Sequence, residues 1–113
     1  MLALYGIKNC DSVRKAIAYL KKYNIAYTFI DFKETPASTD IIKKWLIHVD
    51  MQTLFNTRSS TYRNLKLKTL NLNSTEKIKW LAKENLLIKR PVIVSKDEVI
   101  VGYDTSIYAS KLH

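Results

Sequence analysis

The chain has 113 residues, 47% of them hydrophobic and 26% charged, with only two glycines and two prolines. That is enough sequence for one self-sufficient core, and the composition excludes low-complexity linkers. Fifteen lysines and four arginines against ten acids give a formal net charge of +9, which permits an encounter with nucleic acid or another acidic partner. The lysines are spread along the whole chain without a dense block, which is the pattern of a solvated basic surface.

No apolar run approaches the roughly 18 residues of a membrane span, so no membrane contact is expected. The opening MLALYGIKNC lacks the basic region and apolar core of a secretory signal. With Cys10 as the only cysteine there is no internal disulfide, and the cytoplasm is the expected compartment. His48 and His113 stand apart and no zinc spacing occurs, so no metal is expected.

In chain order, LALYGI at 2–7 is a short apolar run and reads as a buried strand. Residues 11–23 follow with Val13, Ala16, Ile17 and Leu20 at helical spacing, and Asn24 marks the stop. AYTFIDF at 26–32 reads as a second strand, parallel to the first across the helix. Pro36 and Ser38 introduce a helix over 40–49, with Ile41, Ile42, Trp45, Leu46 and Val49 on one face.

The stretch 56–75 is polar, with 11 Ser, Thr or Asn among its 20 residues. Its leucines at 65, 67, 70 and 72 fit a strand or a poor helix equally well. Asn73 and Glu76 have the spacing of a capping box ahead of a helix to about residue 86. PVIVS at 91–95 and EVIVG at 98–102 flank a short turn and predict an antiparallel hairpin. Residues 104–112 close the chain as a helix capped by Asp104 or Thr105. The order β-α-β, a helical stretch, then β-β-α predicts an α/β fold, a thioredoxin-like mixed sheet with a helical insertion.

Cys10 falls in the loop before the first helix, where unpaired amides and the positive end of the helix dipole favour thiolate. Lys8, Arg14 and Lys15 would act in the same direction if near, and Asp11 against it. Thiolate is the nucleophilic form. Position alone leaves two readings open, a reactive thiol or a small side chain closing the strand. A dithiol motif needs cysteine three places on, and that place holds Val13. Any adduct on Cys10 must therefore be resolved by an outside thiol.

Where a generic positive charge suffices, this chain uses lysine. Its four arginines, at 14, 58, 63 and 90, are candidates for work that needs a planar, forked donor. Arg58 lies in FNTRSSTYR, and Arg90 lies in IKRPVIV directly before Pro91. An X-Pro bond there can be cis and restricts the residue before it, fixing where Arg90 points.

Taken together, LYGIKNCDSVRKA, NTRSSTYRNL and IKRPVIV…VGY resemble the arsenate reductase-like (ArsC) family, with its Spx/YffB-type branch nearest in pattern. The resemblance spans essentially the whole chain. It implies one thioredoxin-like domain over 1–113 carrying a helical insertion at about 36–87. Cys10 falls on the family's reactive cysteine, Arg58 and Arg90 on arginines that hold the oxyanion in arsenate reductases, and Pro91 on a characteristically cis proline. Lys8, Asn9 and Pro91 are expected on the substrate-binding side.

Two departures qualify what is carried over. Arsenate reductases have a further arginine where this chain reads IVGYDTS, and Spx regulators typically have a two-cysteine switch that Val13 removes. The resemblance thus implies a glutathione-dependent thiol oxidoreductase, with reduced glutathione as co-substrate, no bound cofactor, and a small oxyanion or disulfide substrate. The competing expectation is a non-enzymatic Spx-like regulator that contacts RNA polymerase through the basic surface.

Overall fold

The computed structural model describes residues 1–113. The elements in chain order are β1 (Leu2–Gly6), α1 (Asp11–Lys22), β2 (Tyr27–Asp31), α2 (Thr39–His48), α3 (Met51–Leu54), α4 (Ser60–Asn64), α5 (Ser74–Lys83), β3 (Val92–Val94), β4 (Val99–Val101) and α6 (Thr105–Lys111). Short 3₁₀ turns lie at Leu67–Leu70 and Asn85–Leu87. The chain divides into a sheet unit, Met1–Thr35 with Arg90–His113, and a helical unit, Pro36–Lys89.

In the sheet unit the strand order is β2-β1-β3-β4. β1 and β2 are parallel, with Leu4 opposite Phe29. β3 runs antiparallel to β1, with Leu4 opposite Ile93, and antiparallel to β4, with Ile93 opposite Ile100. This is the mixed sheet of a thioredoxin-like fold. Its core joins Leu4, Ile93 and Ile100 from the strands to Val13, Ala16 and Leu20 from α1 and Tyr108 from α6. The expected apolar spacing on α1 is therefore its buried face. A Cβ on Gly6 would stand 2.6 Å from Val13 Cγ2, so α1 crosses β1 at a distance only glycine permits. α1 ends at Lys22, and Asn24 takes the left-handed conformation at φ 55°, which is the stop expected of it.

In the helical unit Ser38 caps α2 by accepting from the Ile41 amide at 3.3 Å. Ile42 and Trp45 are its buried residues, and α2 packs against α5. The capping box is formed in full: Asn73 Oδ1 accepts from the Glu76 amide at 2.8 Å, and Glu76 Oε1 accepts from the Asn73 amide at 3.0 Å. The helix it starts ends at Lys83, short of residue 86. Asn85 intervenes there, its side-chain amide donating to the Leu81 carbonyl at 2.8 Å while its Oδ1 accepts from the Ala37 amide at 2.8 Å.

The leucines at 65–72 form neither a strand nor an α-helix. Left-handed Lys66 (φ 53°) and Asn71 (φ 46°) bracket the 3₁₀ turn and leave Leu67 as its buried residue. No helix is long and apolar enough to cross a membrane.

Candidate active site

Cys10 is the N-cap of α1, with extended backbone at φ −148° and ψ 122°. Its carbonyl accepts the first helical bond, from the Arg14 amide at 3.0 Å. The thiol is half-buried against the core of the sheet unit. The sulfur accepts no capping hydrogen bond; the Val13 and Ser12 amides and the Arg90 guanidinium are the neighbouring groups that favour its thiolate.

Burial acts first and pushes the thiol pKa up. The Val13 amide, the hydrogen bond and charge of Arg90, and the Ser12 amide together outweigh it and leave the pKa below the ordinary thiol value. Of the nearby charges considered from sequence, Arg14 is committed elsewhere. It pairs with the Asp11 carboxylate and reaches the Lys8 carbonyl at 3.5 Å, so Asp11 meets its own counter-ion beside the thiol. Lys8 and Asn9 are exposed in the loop leading to Cys10.

Arg90 is half-buried with its Nε atom out of solvent, and the Arg90–Pro91 peptide bond is cis. Pro91 is buried directly before β3. Its carbonyl accepts from the Gly102 amide at 2.8 Å, and the Gly102 carbonyl in turn accepts from the Tyr108 hydroxyl at 2.6 Å. Gly102 holds φ 88°, a left-handed conformation that glycine takes without steric cost. Burial, then Tyr103 and Asp104, raise the Tyr108 hydroxyl pKa well above the ordinary phenol range, so it remains a donor. Sequence reasoning missed this Pro91–Gly102–Tyr108 chain. Its one signal was a glycine following a strand.

Arg58 belongs to the helical unit and is exposed. The NTRSSTYR motif there folds as a series of local hydrogen bonds. Asn56 Oδ1 accepts from the Arg58 amide at 3.1 Å, and the Asn56 carbonyl accepts from the Ser59 hydroxyl at 2.9 Å. Ser59 caps α4 by accepting from the Tyr62 amide at 3.1 Å, and Arg63 donates to the Arg58 carbonyl at 3.0 Å. The loop is anchored by an antiparallel bridge, with Asn56 N–H to Leu87 O at 2.8 Å and Lys89 N–H to Leu54 O at 2.9 Å. Arg58 and Lys89 line one concavity of about 330 Å³ with Gln52, Phe55, Asn56 and Thr57, a wall that joins two cations to polar and apolar surface. Lys89 was not among the expected site residues.

Within the sheet unit, then, Cys10 and Arg90 meet, and Lys8, Asn9 and Pro91 belong to the segments that carry them. No group of three or more His, Cys, Asp or Glu side chains is suited to hold a metal ion.

Comparison with known proteins gives a consistent picture. A solved structure of a YFFB protein superposes with a TM-score of 0.93 over 100% of both chains, at 30% identity. A protein from Streptococcus mutans described as a possible arsenate reductase gives a TM-score of 0.78 over 91% of both chains, at 33% identity. The global transcriptional regulator Spx of Listeria monocytogenes is 31% identical over 106 residues, which cover 92% of this chain and 81% of the regulator. The sequence pattern of the ArsC family matches residues 5–110, from β1 through α6 with Cys10, Arg58 and Arg90 inside the match, and the chain belongs to that family.

Proposed function

We propose that the protein is a glutathione-dependent thiol oxidoreductase related to arsenate reductases, with Cys10 as nucleophile and Arg58 and Arg90 holding an anionic substrate. The observation that carries this reading is the facing of Arg90 and two helix amides onto the Cys10 sulfur, which favours thiolate. The fit to the ArsC family and to a possible arsenate reductase at 33% identity supports it.

With a glutathione mixed disulfide as substrate, the Cys10 thiolate attacks the glutathionyl sulfur. The Cys10–glutathione disulfide forms as the substrate S–S bond breaks, and the substrate leaves as a thiolate that takes a proton from water. A second glutathione, as thiolate, then attacks the glutathionyl sulfur, releasing oxidised glutathione and regenerating the Cys10 thiolate. Val13 leaves no internal thiol for this second step. Lys8 and Asn9 contact the glutathione backbone and carboxylates, the chain beside Pro91 pairs with its peptide groups, and Arg58 takes an anionic group of the substrate. The absence of an arginine in IVGYDTS argues against arsenate as the natural substrate.

Relatedness to Spx at 31% identity favours a second reading, a regulator that contacts RNA polymerase. The discriminating experiment is a steady-state assay with a peptide–glutathione mixed disulfide and reduced glutathione. Formation of oxidised glutathione is followed by coupling to glutathione reductase. Saturable turnover that disappears in Cys10→Ser supports the oxidoreductase. Lysine at Arg58 or Arg90 should cost about tenfold or more in kcat/KM, because charge-assisted hydrogen bonds contribute about 1.5–3 kcal/mol. No turnover, together with retention of the protein on immobilised RNA polymerase core enzyme, would establish the regulator instead.

A further inference from the structure

Away from the thiol, the sheet unit carries a second concavity of about 350 Å³, lined by Tyr19, Tyr23 and Tyr103 with Lys15, Lys22 and Thr105. Lys15, Tyr19 and Lys22 recur at i, i+4 and i+7, so one stripe of α1 supplies them. Tyr23 and Tyr103 are 45% and 38% exposed, so both rings present a face to solvent.

These rings are held in place from behind. The Tyr19 hydroxyl meets His113 Nε2 at 2.7 Å, and its ring lies edge-on to Tyr108 at 5.3 Å. Tyr23 tilts against Tyr19 at 4.6 Å and meets His113 edge-on at 4.9 Å. Tyr103 lies edge-on to Tyr108 at 5.7 Å. The solvent side of the cluster is thus a preformed aromatic surface, with Lys22 Nζ 5.4 Å from the Tyr23 ring centre.

The charge around it is mostly positive. The exposed face of α1 carries Lys15, Lys21 and Lys22, while the helix's one acid, Asp11, is already paired with Arg14. Asp104, next to Tyr103, is the one carboxylate beside the groove, and it caps α6 by accepting from the Ser106 and Ile107 amides at 3.0 and 3.2 Å. The protein as a whole is +9. The carboxylates of an acidic peptide would meet the lysines but offer no flat ring to the tyrosines, and a duplex keeps its bases stacked away from them. An unpaired base flanked by phosphates uses both.

We propose that this groove binds single-stranded nucleic acid, one base stacking on Tyr23 or Tyr103 while the flanking phosphates meet Lys15 and Lys22. The site is separate from the thiol chemistry, and its failure would leave the oxidoreductase reading untouched.

The test is fluorescence anisotropy of the full chain with fluorescein-labelled ten-nucleotide oligouridylate and oligoadenylate, each at several salt concentrations. Binding should weaken about tenfold in Tyr103→Ala or Tyr23→Ala and be retained in the corresponding phenylalanine variants. The double variant Lys15→Gln, Lys22→Gln should flatten the dependence of log affinity on log salt by about 1.4, at about 0.7 per lost phosphate contact. Circular dichroism melting confirms that the variants are folded, and the exposed lysine pair gives a readout independent of the rings. Absence of binding overturns the proposal. So does equal binding by the alanine variants, which would mean charge alone, or equal affinity for a duplex of the same length. Competition by uridine monophosphate at the oligomer's own concentration would make the groove a mononucleotide site and would equally overturn it.

Discussion

Arg90 acts on the Cys10 thiol through both a hydrogen bond and its charge and lowers the thiol's pKa, although eighty residues of sequence separate them. The relationship is built by two backbone devices. Cys10 occupies the N-cap position of α1, and Arg90 stands two residues before the first residue of β3, with Pro91 between them. One residue brings a thiol and the other the positive charge that favours its ionised form.

Replacing Arg90 by Gln should raise the Cys10 pKa, because one hydrogen bond and one charge favouring thiolate are lost while burial remains. Iodoacetamide alkylation rate against pH reads this directly as an upward shift of the midpoint. The same shift has a consequence for stability. A depressed folded-state pKa adds stability above the unfolded thiol's pKa of about 8.5, and that contribution is lost as pH falls through the folded-state value. The stability of wild type relative to Cys10→Ser should therefore grow as pH rises toward the alkaline side, measured by urea denaturation.

Restoring a cysteine three residues on should change how an adduct is resolved. Val13 stands at the third position after the cap, on the first turn of α1 beside Cys10. In Val13→Cys, a glutathione adduct on Cys10 should be displaced by the new thiol to give an intramolecular disulfide. Intact mass would then show loss of two hydrogens rather than a stable glutathionyl adduct. Persistence of the adduct at wild-type level would place the two side chains out of reach.

Tyr108→Phe tests the chain of bonds behind Pro91. The variant leaves the buried Gly102 carbonyl without the hydroxyl that donates to it at 2.6 Å. A loss of about 1–3 kcal/mol in unfolding free energy is expected, read by urea denaturation at neutral pH. A loss of this size with an unchanged Cys10 alkylation midpoint would assign Tyr108 to the fold alone. A raised midpoint would show that the chain of bonds also positions Arg90.

Much of the fold was legible because local and tertiary signals agree. The spacing of Val13, Ala16 and Leu20, the Asn73–Glu76 capping box and the paired VIV runs each specify one structure. The helical unit was less legible. α3 is a single turn capped by Asp50, whose carboxylate accepts from the Thr53 amide at 2.8 Å, too short for any periodicity. The 3₁₀ turn at Leu67–Leu70 depends on left-handed Lys66 and Asn71, which propensity does not foresee in a lysine. Cys10 and Arg90 could be singled out as unusual residue choices. The Gly102 to Pro91 bond beside Arg90, and in the helical unit the Asn56 to Leu87 bond that anchors the Arg58 loop, are pairings between separate segments that leave no pattern in a window of sequence.

Intact-mass spectrometry of the folded protein tests most directly whether Cys10 is a nucleophile served by an external thiol. Oxidised glutathione should add one glutathionyl group, located at Cys10 by peptide mapping, and excess reduced glutathione should remove it completely. A thiol that stays unmodified in the folded protein and reacts only after denaturation would contradict that role and make Cys10 a packing residue.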